Sequence, residues 1–232
     1  MKEQNKIEKA EAKNSDNIPF DHLLSEAEVE QIKTHSNIVT YQENDVIFKQ
    51  DTRTSHFMYI RSGLIKVYRE NRNQKVKIIK LAIPDEFLGI NSVLGEQTFS
   101  YSAAALEKTT IQIIDYNIFE NILLNNGKYA RSLMENICSD NLGIFRRLIS
   151  QSQKQLPGRI ADILLYFSDI IYHSRNFSFP LTRTELAELA GTTKESLIRT
   201  LTEFKNDKII ILEGKKVQIV SEDIIHTLSR IG

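Results

Sequence analysis

The sequence has one cysteine among 232 residues and no excess of charge of either sign, with 30 Lys and Arg against 30 Asp and Glu. Each shortage excludes something. A lone thiol, Cys138, cannot close an internal disulfide. It cannot hold an iron-sulfur cluster or a zinc finger either, since those need several thiolates or Cys/His sets. A reducing cytoplasm is the expected compartment. Balanced charge leaves no global field to draw the chain to nucleic acid or an anionic membrane, so any DNA-binding surface must be local. No apolar run approaches the roughly 18 residues of a membrane span, and the amino-terminal stretch lacks the apolar core of a signal peptide. GxSxG, HExxH, GxxxxGK and GxGxxG do not occur, and no histidine neighbours Cys138 in sequence to activate it. An enzyme is therefore not expected.

With 41% hydrophobic and 26% charged residues, the chain can bury proper cores, and its length suits two ordinary domains. Residues 1–18 are rich in Lys, Glu and Asn with few apolar side chains, which predicts a frayed tail. From Pro19 to His35 the apolar residues Phe20, Leu23, Leu24, Val29 and Ile32 recur at helical spacing, and Ser25 with Glu28 forms a capping box. Between Ile38 and Ile114 the pattern changes to short runs rich in Val, Ile, Tyr and Phe. Examples are Asp45 to Lys49, Phe57 to Arg61, Leu64 to Arg69, Val76 to Ala82 and Thr109 to Tyr116, with turns at Gly63 and Glu70 to Gln74. These predict an antiparallel β-barrel or jelly roll.

Helices return from Asn117. Between Lys128 and Gln153, Ala130, Met134, Ile137, Asn141, Ile144 and Leu148 alternate in steps of four and three, the spacing of a coiled-coil seam. Asn141 falls where a buried Asn fixes register and a two-stranded state, so this helix is expected to make a homodimer; packing on its own subunit's barrel is the alternative. Pro157 and Gly158 are expected to break the helix. The chain thus reads as an α+β protein: a tail (1–18), a sensory β domain (19–127), a dimerisation helix and hinge (128–156) and a C-terminal winged helix-turn-helix (157–232).

The last assignment rests on Leu181 to Phe204, LTRTELAELAGTTKESLIRTLTEF. Thr182 and Glu185 make a capping box for a short helix with Leu186, Leu189 and Ala190 on its buried face. Gly191 ends it with a left-handed turn, and Thr192 or Thr193 caps a second helix whose apolar face is Leu197, Ile198, Leu201 and Phe204. Two short helices joined through Gly, with small Ala187 where they cross, form the helix-turn-helix pattern. The second helix presents Thr193, Lys194, Glu195, Ser196 and Arg199. Arg199 can bind guanine bidentately, Glu195 can accept from cytosine, Lys194 can reach guanine or phosphate, and Thr182, Thr193 and Ser196 suit phosphate or an adaptable base contact. Such residues on a helix face are often only a solvated surface. What raises the reading above that is the hairpin after the helix, Ile209 to Leu212 and Val217 to Val220, a wing tipped by Lys215 and Lys216. The expected partner is double-stranded DNA, and a ligand-binding adaptor without specific DNA binding is the rival.

The chain resembles the cyclic-AMP receptor protein and FNR family of bacterial regulators from about Pro19 onward. The resemblance is carried by ENDVIFKQD, YIRSGLIKVY, PDEFLGINSVLG, LPGRIADILLYF and the helix-turn-helix stretch. It implies that Glu195, Ser196 and Arg199 read a TGA-type half-site, with Lys194 at a variable position, and that RNA polymerase is a further candidate partner. It also implies an effector pocket at Gly89, Ile90, Asn91, Tyr101, Ser102, Ile144 and Phe145. Family members that bind cyclic AMP hold its phosphate with an arginine beside a serine and its ribose with a glutamate after the FxG turn. Here Tyr101 stands beside Ser102 and Ile90 follows Gly89. Between Leu81 and Glu107 there is no Lys or Arg, so a buried phosphodiester would lack its charge-assisted partner. Cyclic AMP is therefore not the expected effector, and one cysteine excludes an FNR-type cluster. Haem stays open because a single histidine can ligate iron, although His22, His35, His56, His173 and His226 form no cluster in sequence.

Overall fold

The computed structural model describes residues 20–73 and 76–232. The tail expected over residues 1–18, and Gln74 at the end of the expected turn, lie outside the described residues. The chain divides into two compact units: residues up to Val67 with Leu81–Asp140, and Tyr68–Lys80 with Asn141–Gly232.

In the first unit a short turn (Asp21–Leu23) leads into α1 (Glu26–Thr34). Ser25 Oγ accepts from Glu28 N and the Glu28 carboxylate accepts from Ser25 N, the reciprocal cap foreseen from the spacing. Along the chain, strands β1 (Ser36–Tyr41), β2 (Val46–Phe48), β3 (His56–Ser62), β4 (Ile65–Glu70), β5 (Val76–Ala82) and β6 (Phe87–Leu88) follow, with β4 from Tyr68 and β5 up to Lys80 counted in the second unit. A short helix α2 (Ile90–Leu94) separates them from β7 (Ser102–Ala105) and β8 (Thr109–Asp115). The strands form two four-stranded sheets, β1-β8-β3-β6 and β2-β7-β4-β5, open and jelly-roll-like rather than closed into a barrel. β8 is the spine of the first sheet: it pairs antiparallel with β1 (Tyr41 opposite Thr109) and with β3 (Phe57 opposite Ile114).

Asp115 caps α3 (Tyr116–Asn125) by accepting from Asn117 N and Ile118 N. The α3 residue Phe119 is fully buried, its ring centroid 4.3 Å from Phe57, 5.3 Å from Phe87 and 5.9 Å from Tyr129 of the next helix, α4 (Gly127–Gln153). These rings with Ile32, Ile90 and Ile114 make the core of the unit.

In the second unit the break after α4 lies at Lys154 and Gln155, and Pro157 and Gly158 fall in the first turn of α5 (Leu156–Leu165). They open a helix rather than end one, because a first-turn residue needs no amide proton and proline's fixed φ already suits it. A π-helical turn (Tyr166–Ile171), β9 (Asn176–Ser178), α6 (Arg183–Ala190), α7 (Lys194–Asn206), β10 (Ile210–Glu213), β11 (Lys216–Ile219) and α8 (Glu222–Ile231) complete the unit. β9 adds a third strand to the hairpin, in the order β10-β11-β9.

One carboxylate gathers three of these elements. Asp162 on α5 accepts from Ser150 Oγ of α4 and Ser229 Oγ of α8, each at 2.5 Å, and from Lys154 Nζ at 2.8 Å. Asp162→Ala leaves two hydroxyls without their acceptor and the Lys154 ammonium with only the Ser229 carbonyl, and is expected to lower unfolding free energy by about 1–2 kcal/mol given the partial exposure of the group. Urea denaturation checks this; a change within a few tenths of a kcal/mol would show that the hub holds nothing.

Candidate nucleic-acid interface

The helix pair α6 and α7 is built as the residues dictate. Thr182 Oγ1 accepts from Glu185 N at 3.3 Å, and the Glu185 carboxylate accepts from Thr182 N at 2.9 Å, so this threonine is occupied as a cap. Leu186, Ala187, Leu189 and Ala190 of α6 are buried, as are Leu197, Thr200, Leu201 and Phe204 of α7. Between them Gly191 takes φ 64°, a left-handed conformation that side chains disfavour. A Cβ there would also meet the Gln151 side chain at 3.0 Å. The carbonyls left free at the end of α6 are claimed from neighbouring helices: Gln151 Nε2 donates to Leu189 O at 3.0 Å, and Arg159 Nη1 to Gly191 O at 2.8 Å. Gln151 and Arg159 thus fix the helix pair on α4 and α5. No local motif marked them, since the contacts span 38 and 32 residues.

Thr193 caps α7 by accepting from Ser196 N at 3.2 Å, and its hydroxyl also donates to Ser196 Oγ at 3.1 Å. Ser196 is half-buried in that pairing and does not stand free on the outward face. Lys194, Glu195 and Arg199 do; all three are exposed and none has a hydrogen-bond or ion-pair partner among the described residues. One expectation fails on this helix. Ile198, assigned to the buried face, is 41% exposed, and Thr200 is buried in its place. The buried face is thus turned about the helix axis, away from Ile198 and toward Thr200, while keeping Leu197, Leu201 and Phe204.

The hairpin turns at Gly214 and Lys215, with Glu213 opposite Lys216, so Lys215 is at the tip and Lys216 begins β11; both are exposed. The tip is tethered. Arg183, in the first turn of α6, donates from Nη2 to Gly214 O at 2.5 Å and lies over the Phe179 ring, 5.4 Å from its centroid. Its Nη1 is buried without a partner among the described residues, and burial lowers the guanidinium pKa from its ordinary value. Arg183 stands in the quoted motif, yet nothing local showed that it reaches 31 residues ahead to the hairpin.

The candidate effector residues fall in both units. Gly89 takes φ 77°, and a Cβ on it would lie 2.6 Å from the Phe99 ring. Phe99 stacks on Phe48 at 3.7 Å between centroids, and Tyr101 stands 5.9 Å from Phe48. Ile90 is buried in the core cluster with Phe87 and Val93, Asn91 is exposed, and Ser102 Oγ accepts from Gln50 N at 3.0 Å. The wall around Gly89 is thus aromatic and already packed. All five histidines are exposed.

In the second unit Ile144 is half-buried and Phe145 is 59% exposed. Along α4, Met134 (63%) and Leu148 (61%) of the expected seam are exposed, but Ile137 packs against the core cluster of the first unit. The outward stripe therefore runs through exposed Met134, Cys138, Phe145 and Leu148 with half-buried Asn141 among them, in steps of four, three, four and three, with Leu142 and Ile149 on its flank. This frame keeps Met134, Asn141 and Leu148 and exchanges Ile137 and Ile144 for Cys138 and Phe145.

Comparison with known proteins agrees with this architecture. Residues 38–126 match the cyclic nucleotide-binding domain family and residues 158–224 the Crp-like helix-turn-helix domain, together about two thirds of the chain. The chain is 25% identical over 220 residues to the fumarate and nitrate reduction regulatory protein of Vibrio cholerae, covering 93% of this chain and 87% of that one. Among solved structures, FixK2 of Bradyrhizobium japonicum superposes with a TM-score of 0.76 at 16% identity, over 83% of this chain and 96% of that one. The c-di-GMP-responsive global regulator CLP of Xanthomonas campestris gives 0.71 at 18% identity, over 84% and 99%. The two structures show the fold. No helix among the described residues is long and apolar enough to cross a membrane.

Proposed function

Because the chain belongs to the CRP/FNR family of transcription regulators, we propose that it acts in the cytoplasm as a homodimer, reading a palindromic TGA-type site with the first turns of its two α7 helices. The observation that carries this is the free outward face of α7. Its cap is satisfied internally, while Lys194, Glu195 and Arg199 project with no partner among the described residues, an arrangement suited to a helix whose partners lie in a major groove. A gel shift with a palindromic TGA-containing duplex, competed by unrelated DNA, tests it. Specific retention is expected, and equal displacement by any duplex would reject the reading.

The partner for the α4 stripe is a second copy. A 4-3-4-3 run of exposed apolar side chains with one Asn is what a two-stranded seam needs, and a twofold pair would place the two α7 helices for adjacent grooves about 34 Å apart. Cys138 supplies a native probe: in a parallel pair the two thiols face each other across the seam. A short thiol cross-linker is expected to give a covalent dimer that keeps its DNA binding.

We infer a signal other than cyclic AMP or an iron-sulfur cluster, with a haem held by a single histidine as the alternative. The wall at Gly89 is built by the rings of Phe48, Phe99 and Tyr101, no Lys or Arg occurs between Leu81 and Glu107 to meet a phosphate, and the single thiol lies on α4. An apolar ligand, or a pocket filled by its own rings, fits these walls. Calorimetry with cyclic AMP should show no heat of binding, and an absorbance spectrum with mass spectrometry of the purified protein no haem band.

Arg183 positions the wing. Its alanine variant is expected to bind cognate and scrambled duplexes equally more weakly, by about fivefold, because it releases Lys215 from its place without touching a base. Anisotropy titrations at fixed salt check this; a loss confined to the cognate duplex would make Arg183 a base contact instead.

A further inference from the structure

α4 carries a glycine in its interior that its own packing does not require. Glycine weakens a helix relative to alanine, and it is of use where the backbone must turn or where something must come close to it. Gly143 does neither within the chain: its backbone is helical, and a Cβ built on it meets nothing within 4 Å. By helical spacing it lies on the side of α4 opposite the Met134 to Leu148 stripe, in line with Arg147, Ser150 and Lys154. A second copy on the stripe does not account for it either.

That line borders a cavity of about 430 Å³, within the range of small-ligand sites, whose other walls belong to α5 and α6. Part of its lining is apolar, from Ile163, Tyr166, Leu189 and Ala190. The charged part is one-sided. Asp162, the one carboxylate in the lining, is spent on Ser150, Lys154 and Ser229, which leaves three guanidinium groups, those of Arg146, Arg147 and Arg159, without an opposing acid. Arg147 is fixed by donating from Nη1 to Ile79 O at 2.6 Å and by lying over the Tyr166 ring, 4.9 Å from its centroid. Arg159 donates from Nη1 to Gly191 O, yet its Nε is buried with no partner among the described residues. A buried donor on a charged group is costly to leave unpaired, and an anion brought to it removes that cost.

We propose that this cavity is a binding site for a small organic anion, its carboxylate or phosphate head held by Arg159 and its apolar body laid against Ile163 and Leu189. The guanidinium fork matches either head group, and Gly143 keeps the facing stretch of α4 bare so that the ligand can pass close to the backbone. The site stands apart from the DNA reading, since no residue of α7 lines it.

Calorimetry of the full-length protein with decanoate, decyl phosphate and decanol, each below its micelle concentration, tests the proposal. One anion per chain is expected, with decanol weaker by roughly tenfold or more, the share of a charge-assisted hydrogen bond. The tighter of the two anions identifies the head group. Arg159→Gln should bring that anion down to the decanol level. Gly143→Leu should abolish binding by placing a side chain in the entrance, and it should unfold no earlier than the wild type, because leucine is the better helix former. Circular dichroism of both variants checks their fold. Decanol bound as tightly as the anions, no binding of either anion, or anion binding unchanged in either folded variant would overturn the inference.

Discussion

Alanine at Arg199 is expected to erase the preference for the guanine-bearing half-site, lowering affinity for a selected palindrome by roughly tenfold to a hundredfold per half-site. The guanidinium is exposed on the outward face of α7, one turn after Glu195, and has no partner among the described residues, so its removal leaves the protein's own packing intact. On the proposed reading, what goes is a bidentate contact to guanine O6 and N7, which no neighbouring side chain would replace: Lys194 is a point charge on a flexible stem, and Ser196 is paired with Thr193. Affinity for scrambled DNA should fall only by the share of one positive charge. Lys215→Ala is the contrast, because a lysine at the wing tip meets phosphate, and its loss should weaken every duplex by about the same factor. Titrations of both variants at one salt concentration separate the roles. Parallel losses on cognate and scrambled duplexes for Arg199→Ala would show that it reads no base.

What the amino-acid order reveals about this molecule is mostly what is local. Both capping boxes, Ser25 with Glu28 and Thr182 with Glu185, are closed within four residues and appear as foreseen. So does the left-handed Gly191 between two capped helices. The strands rich in β-branched and aromatic residues match within a residue or two. β7 is less legible, because Ser102–Ala105 is serine and alanine, residues with little strand preference, held in place by burial at all four positions. Pro157 and Gly158 announce a boundary but not its direction, since the same pair suits the end of one helix and the start of the next. Long-range contacts leave no local trace, which is why Arg183 on the wing, Gln151 and Arg159 on Gly191, and Asp162 under three helices become visible only in three dimensions.

The α4 frame shows a different limit. A helix with apolar residues on more than one side offers two seams of equal spacing, and heptad arithmetic alone cannot tell which is already spent inside the subunit. Ile137 is spent there, because it packs against the core that Phe119 and Tyr129 build. The open seam follows one step over. The same reasoning separates Ile198 from Leu197 and Leu201 on α7, where the apolar pattern was one residue wider than the face that α6 covers.

The frame makes the second large effect sharp. Phe145→Glu puts a carboxylate at the middle of the open seam, where a twofold pair would bring two of them together without a counter-ion, and the duplicate cost of burying them should dissociate the dimer. Phe145 is more exposed than buried in its own subunit, and Glu is a good helix former, so the single chain should keep its fold and its unfolding midpoint. Binding to a palindrome should then fall by roughly a hundredfold to ten-thousandfold, the loss of the effective concentration that one bound half confers on the other. Affinity for an isolated half-site should stay as it was. Ile137→Glu is the control for the other frame: it drives a charge into the core of the first unit and should unfold the chain instead. Sedimentation velocity beside circular dichroism reads both variants. A Phe145→Glu protein that still sediments as a dimer, or an Ile137→Glu protein that becomes a folded monomer, would put the seam back on the Ile137 and Ile144 side of the helix.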